Sequence, residues 1–218
     1  VLPMFVYGLG AAKCGTTWLY EYLRAHPDCH VRGVKELNYF YAINTANMPK
    51  VVERLESEII RTEDNMHMAS PAEVAKKSAE LLDMRDYMRV LKTCREDKNA
   101  YFRYMMLGMR GQKLVADISP NYCYVGAEML AAMLPTAPNT RFIYFMRDPV
   151  ARFWSHLRMN VRKALKAGAD FEAELRVALK HELDGSTTDV SAHSDYAGVL
   201  ADMEAVIPAE RRLVMFYE

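Results

Sequence analysis

Apolar residues in this chain follow two rhythms. Some stand in short unbroken runs, as strands buried on both faces do. Met4, Phe5, Val6 and Tyr7 are the first such run. Residues 113–117 and 141–146 are two more, a short piece at His30 and Val31 is another, and the closing run RRLVMFYE is the last. Between the runs, apolar residues recur at helical spacing. Trp18, Leu19, Tyr22 and Leu23 share one stripe of a helix expected from Thr16 to near Pro27. Val51, Val52, Leu55, Ile59 and Ile60 form a second stripe, and Val74, Leu81, Leu82, Met88 and Leu91 a third. Further helices are expected over 100–109, over 127–134 before Pro135, over 170–183, and on the segment carrying Tyr196, Leu200, Met203 and Val206.

Capping signals sharpen these boundaries. Ser70-Pro71-Ala72-Glu73 is a capping box with proline in the first turn. Asp148-Pro149 opens a helix in a similar way, and Ser194 is placed to cap the last one. Some five strands alternating with helices predict an α/β fold: a mostly parallel sheet with helices on both faces. Residues 45–110 carry helical signals only and read as a helical insertion. Such an insertion suits an acceptor-binding lid or a packing layer on the sheet.

The 218 residues suffice for one domain with a real core, and 1–218 reads as one domain. Lys and Arg number 28, as do Asp and Glu, so the net charge is zero. That excludes a generally basic nucleic-acid binder but leaves room for a local basic pocket. No apolar run reaches the length of a membrane span, and no signal peptide is visible. Cys14, Cys29, Cys94 and Cys123 are scattered, without metal-ligand or disulfide-framework spacing. With no N-x-[ST] sequon, the cytoplasm is the expected location. The alternative is the Golgi lumen, if a membrane anchor has been removed; the chain begins without Met, as a trimmed one would.

The candidate chemistry starts where the first strand meets the first helix, in GLGAAKCGTTW. Gly10 and Gly15 are spaced as in the phosphate loop G-x-x-x-x-G-K-[ST]. Backbone N–H groups at a helix start, with the helix dipole, make an anion site. The residue after the second glycine is Thr16 rather than Lys, and the lysine stands inside the loop, at Lys13. Such a loop is poorly built for a γ-phosphate. It suits a shorter anion held by the hydroxyls of Thr16 and Thr17, with one cation beside its bridging oxygen. Arg147 follows a strand, at the edge where open parallel sheets bind ligands. Arg152, on the helix that follows, is expected to pair with a carboxylate or cap a neighbour. Asp117, ending an apolar strand, also fits a Mg²⁺ ligand of a kinase.

GAAKCGTTWL resembles the 5′-phosphosulfate loop of the sulfotransferases, G-x-x-K-x-G-T-T-x-L. FIYFMRDPVARFWSHLRM is similar to that family's 3′-phosphate segment, in which an Arg after a strand and a Ser eight residues later bind the 3′-phosphate. Lys35, Glu36, Tyr39 and Phe40 match the K-E-x-x-[YF]-F segment of the carbohydrate type, whose Glu sits beside the acceptor hydroxyl. Asp117, Ser119, Pro120 and Tyr122 match E-K-[ST]-P-x-Y in part, with Ile118 where the family has Lys. The closing strand resembles one that ends in Tyr-Glu; the helix and basic loop that follow it in the family are absent, so the chain reads as truncated at its C-terminus.

The resemblance implies a three-layer, P-loop-like α/β fold. It implies sulfuryl transfer from 3′-phosphoadenosine 5′-phosphosulfate (PAPS) to an acceptor hydroxyl or amine, with 3′-phosphoadenosine 5′-phosphate (PAP) as product and no metal. Gly10, Ala12, Lys13, Cys14, Gly15, Thr16, Thr17, Trp18, Arg147 and Ser155 would then bind the donor. Trp18 would stack on adenine or belong to the core. Lys13 would stabilise the leaving phosphate and Glu36 would take the acceptor proton. His156 is the substitute base, or else a structural neighbour of the cofactor. The K-E segment leans the acceptor towards a carbohydrate or another small aliphatic alcohol. The alternatives are a P-loop kinase using ATP and Mg²⁺ through Asp117, and a non-catalytic nucleotide-binding module.

Overall fold

In this computed structural model every residue is described except Val1, Met68, Lys98 and Glu218. The expected Tyr-Glu ending therefore falls partly outside the described residues. Five strands form one sheet: β1 (Met4–Gly8), β2 (Cys29–Val31), β3 (Leu114–Ile118), β4 (Thr140–Met146) and β5 (Arg212–Phe216). Their order is β2-β3-β1-β4-β5 and every pairing is parallel. The α/β architecture is thus the one the apolar rhythms predict.

Nine α-helices connect the strands among the described residues: α1 (Thr16–Ala25), α2 (Tyr39–Asn44), α3 (Met48–Asp64), α4 (Pro71–Thr93), α5 (Ala100–Met106), α6 (Gly126–Met133), α7 (Pro149–Ala164), α8 (Phe171–Leu183) and α9 (Tyr196–Val206). The capping box at Ser70 forms, and Asp148 accepts from the Ala151 N–H. α1 stops at Ala25, near Pro27 as expected. Two boundaries differ from expectation. α5 stops at Met106 because Leu107 is extended and Gly108 turns left-handed, at φ 81°. α9 is capped by Asp195, which accepts from the Gly198 N–H, while the Ser194 hydroxyl accepts from Arg152 Nε instead.

The sheet is buried on both faces. On one, Phe5, Tyr7 and Phe142 pack with Phe40 of α2, Tyr101 of α5 and Tyr122. Burial of each such ring stabilises by about 1.5–3 kcal/mol. The other face meets α1 through Leu19, Tyr20 and Leu23. The expected α1 stripe splits here: Tyr20 is buried, whereas Trp18 and Tyr22 are 59% and 54% exposed and stack on each other at 5.4 Å. The buried face is centred one position further round the helix than the aromatics suggested. Trp18 is therefore not a core residue.

β1 and β4 are neighbours whose connections leave in opposite directions, β1 towards β2 and β4 towards β5. In open α/β sheets, ligands bind in the crevice beyond the carboxyl ends of such a strand pair. The loops from Leu9 to Gly15 and from Arg147 to Asp148 border that crevice.

Candidate active site

The β1–α1 loop is fastened at its start and free at its end. The Leu9 and Ala11 N–H groups donate to Ile143 and Phe145 carbonyls of β4, and the Phe145 N–H donates to Gly10 O. Gly10 has φ 114°, and a Cβ there would lie 2.6 Å from Pro120 O, so only glycine fits. Gly15, at φ 88°, would place a Cβ 2.7 Å from the Tyr217 ring. As N-cap of α1 it supplies no side-chain acceptor, so the N–H groups of the first turn face the crevice uncapped. Lys13 also has positive φ, 70°, a strained position for a residue with a Cβ.

A cavity of about 490 Å³ opens over this loop. Ala12, Lys13, Gly15, Thr16, Thr17 and Trp18 line it from the β1–α1 side, Lys35 and Glu36 from the loop after β2, and Arg147, Ser155 and His156 from β4 and α7. Residues 140 positions apart in the chain thus meet as the motifs require. Two expected donor-binding residues do not line it. Gly10 lies beneath the loop against Pro120, and the Cys14 side chain is fully buried, 3.7 Å from Tyr196 Oη. Their place is in shaping the loop, since one has no side chain and the other spends its side chain on the core.

Among the described residues Lys13 Nζ has one hydrogen-bond partner, Met159 Sδ at 3.6 Å, which leaves ammonium donors unspent. Burial lowers its pKa, as do Lys163, Lys35 and Arg147 nearby, while Glu36 opposes them. Arg147 is half-buried beside the Tyr217 ring, 5.5 Å from its centroid, and makes one weak bond to Lys13 O at 3.5 Å. Lys35 Nζ donates to Thr17 Oγ1 at 2.7 Å and stands 3.4 Å from Glu36 Oε1, tying the two loops together.

Glu36 is held from behind. It has φ 57°, and its carbonyl accepts from Arg54 Nη2 at 2.6 Å and Asn38 Nδ2 at 3.0 Å. Tyr87 Oη donates to Leu37 O, and Asp83 accepts from the Val34 N–H. No described residue of 45–110 lines the cavity; Arg54, Asp83 and Tyr87 of that segment brace the loop that carries Glu36.

Asp117 has no free oxygen to offer. It is 2% exposed and accepts from Ser119 Oγ at 2.6 Å, Tyr122 Oη at 2.6 Å and Tyr101 Oη at 2.7 Å. Burial raises its pKa against those three bonds. Ser119 and Tyr122 in turn accept from the Asn38 and Tyr39 N–H groups. This carboxylate is the base of the Glu36 loop, and it does not face the cavity as a metal ligand would.

His156 faces the cavity from α7, with Arg152 behind it. Arg152 is fully buried, with no carboxylate partner among the described residues; it donates to Ser194 Oγ, to Val190 O and, at 3.3 Å, to His156 Nδ1. Of the two roles expected for Arg152, capping a neighbour is the one observed. A guanidinium only donates, so Nδ1 accepts and the ring proton sits on Nε2. Burial, then Arg152, lowers the His156 pKa to about 4. Burial, then His156, lowers His193 to about 3. Neutral His156 thus meets the cavity as a hydrogen-bond donor. Pro120, Asn121, Met159, Lys163, His193 and Tyr217 complete the lining. Of these, Met159 and Lys163 were legible as residues one and two helical turns past Ser155, and Pro120 and Tyr217 stand in the family-like segments; Asn121 and His193 lie in short 3-10 helices with no pattern to mark them.

A sequence model of the sulfotransferase family matches residues 3–218, and the chain belongs to that family. A sulfotransferase from Alicyclobacillus acidocaldarius shares the fold at TM-score 0.61 and 23% identity, over 100% of this chain and 74% of that one. A sulfotransferase domain from the curacin biosynthetic pathway does so at TM-score 0.55 and 19% identity, over 99% of this chain and 68% of that one. No curated protein matches the sequence. Among the described residues no helix is long and apolar enough to cross a membrane.

Proposed function

We propose that this chain transfers a sulfuryl group from PAPS to the hydroxyl of a small-molecule or carbohydrate acceptor. The observation that carries the reading is the loop: uncapped N–H groups, two threonines, and a lysine inside the loop rather than after Gly15. When bound, PAPS supplies the sulfuryl group and leaves as PAP. The α1 N-terminus, Thr16 and Thr17 hold the 5′-phosphate. Lys13, with donors to spare, neutralises charge at the bridging oxygen. Arg147 and Ser155 take the 3′-phosphate, and Trp18, exposed at the cavity wall, stacks on the adenine. Glu36 accepts the acceptor proton, steadied by Lys35. His156 Nε2–H donates to an oxygen in the cavity. Residues 1–218 act as one domain, with 45–110 inserted to brace its acceptor side. Free thiols fit a reducing compartment, the cytoplasm.

Calorimetry with PAP, and with ATP with and without Mg²⁺, tests the donor, and labelled-sulfate turnover tests the transfer. PAP binding that needs no Mg²⁺, with weak ATP binding, is expected. Tight Mg²⁺-dependent ATP binding would restore the kinase reading, and PAP binding without turnover on any acceptor class would leave a nucleotide-binding module.

A further inference from the structure

The outer face of α7 continues the cavity as a groove of about 600 Å³. Lys13, Arg147, Ser155 and Lys163 line both, so the two hollows are continuous. Arg158 and Arg162 extend the groove, Trp154 walls it, and among the described residues no carboxylate lines it. Five cations therefore stand together in a chain whose net charge is zero. Among the described residues none of the five makes an ion pair within 4.0 Å. Clustered like charges repel, and Lys163 helps to lower the Lys13 pKa.

On the proposed function, the donor accounts for part of this charge: Lys13 by the phosphosulfate, Arg147 and Ser155 by the 3′-phosphate. Arg158, Arg162 and Lys163 remain without a counter-charge. They follow Ser155 by about one to two helical turns, roughly 5–12 Å along α7. Lys163 lies beside Lys13, where transfer would take place, and the arginines lie further out. We infer that this groove binds an anionic group on the acceptor itself: the substrate is a hydroxyl compound that already carries a phosphate, sulfate or carboxylate. An uncharged alcohol would leave three cations unmatched. This inference rests on the sulfotransferase reading.

The test is a two-stage titration of the wild type and the Arg158→Ala/Arg162→Ala variant. PAP is titrated first by calorimetry. Inorganic phosphate, sulfate and acetate are then titrated separately into PAP-saturated protein, reading Trp154 fluorescence. PAP affinity should agree within about twofold, because these arginines lie outside the donor site. Phosphate should saturate the loaded wild type and bind the variant about tenfold or more weakly, the loss expected for charge-assisted contacts. The ranking of the three anions identifies the head group. Absence of saturable binding by any of them to the loaded wild type, or equal binding by the variant, overturns the inference. So does a tenfold loss of PAP affinity in the variant, which assigns the arginines to the donor. Wild type that binds no PAP overturns the sulfotransferase reading and this inference with it.

Discussion

The carboxyl ends of β1 and β3 lie side by side, Gly8 opposite Ile118, and the chain finishes them in opposite ways. Beyond β1, polar groups are left unspent: the first-turn N–H groups of α1 have no side-chain cap, and Lys13 has a single weak sulfur contact among the described residues. Beyond β3, polar groups saturate one another. Asp117 takes three hydroxyl donors, and two of those hydroxyls hold the backbone under Glu36. A buried hydrogen bond makes a neighbour rigid, and an unspent donor makes a ligand welcome. The same contrast recurs five residues apart on α7 and its entry. Arg147 keeps nearly all its donors free, whereas Arg152 spends its own on Ser194, Val190 and His156. Chemistry is expected where donors are free, and stability where they are spent.

The contrast is broken most sharply on the open side. Glu36→Gln keeps shape and removes basicity, so kcat should fall by about 10²–10⁴ while PAP affinity stays within about twofold. Full turnover in Glu36→Gln would move the base elsewhere. Lys13→Met should lower kcat by roughly 10²–10³, since one preorganised charge contact is lost, with the thermal midpoint unchanged. Normal kcat with a raised KM for the donor would make Lys13 a binding residue only.

Most of the fold was legible because strands and helices announce themselves by period, and because Gly10, Gly15, Arg147 and Ser155 carry local signals at fixed spacing. Groups whose meaning depends on a partner far along the chain were not. Asp117 reads equally as a metal ligand until Tyr101 and Tyr122 are seen to close on it. Trp18 counts as apolar on a helical wheel, yet its ring belongs to the cavity wall. Cys14 sits inside a ligand-binding motif, yet its side chain faces Tyr196, 182 residues away. His156 gains its tautomer from Arg152 one turn earlier, a pairing that spacing permits but does not demand.

Smaller effects sharpen the comparison from both sides. Arg147→Ala should weaken PAP by about one to two orders of magnitude while barely changing adenosine 5′-phosphate, which lacks the 3′-phosphate. Equal losses for both nucleotides would remove Arg147 from the 3′-phosphate. On the closed side, Asp117→Ala leaves three buried hydroxyls short of an acceptor and should cost on the order of 1–3 kcal/mol in urea unfolding, with PAP affinity preserved. A variant as stable as the wild type but unable to bind PAP would reverse the roles given to the two strand ends.

The last expected effect is a dependence of stability on pH, and it comes from the two largely buried histidines of the cavity wall. His156 and His193 titrate near 4 and 3 when folded, against about 6.5 unfolded. Both shifts are depressions of a base, caused first by burial. Between pH 6.5 and 5 the unfolded chain therefore binds more protons than the folded one, and stability must fall as pH falls. Each histidine contributes at most about 1.4 kcal/mol per pH unit, and this window lies above the range where most carboxylates titrate. His30 is shifted the same way by burial and adds to the slope. Urea midpoints measured at about pH 7, 6 and 5 should fall steadily in the wild type. The slope should shrink markedly in His156→Gln/His193→Gln, whose amides do not titrate there. Flat wild-type stability across that range, or an unchanged slope in the variant, would mean that these rings are wetter than their burial requires. His156 would then be free to act as a base rather than as the donor proposed for it.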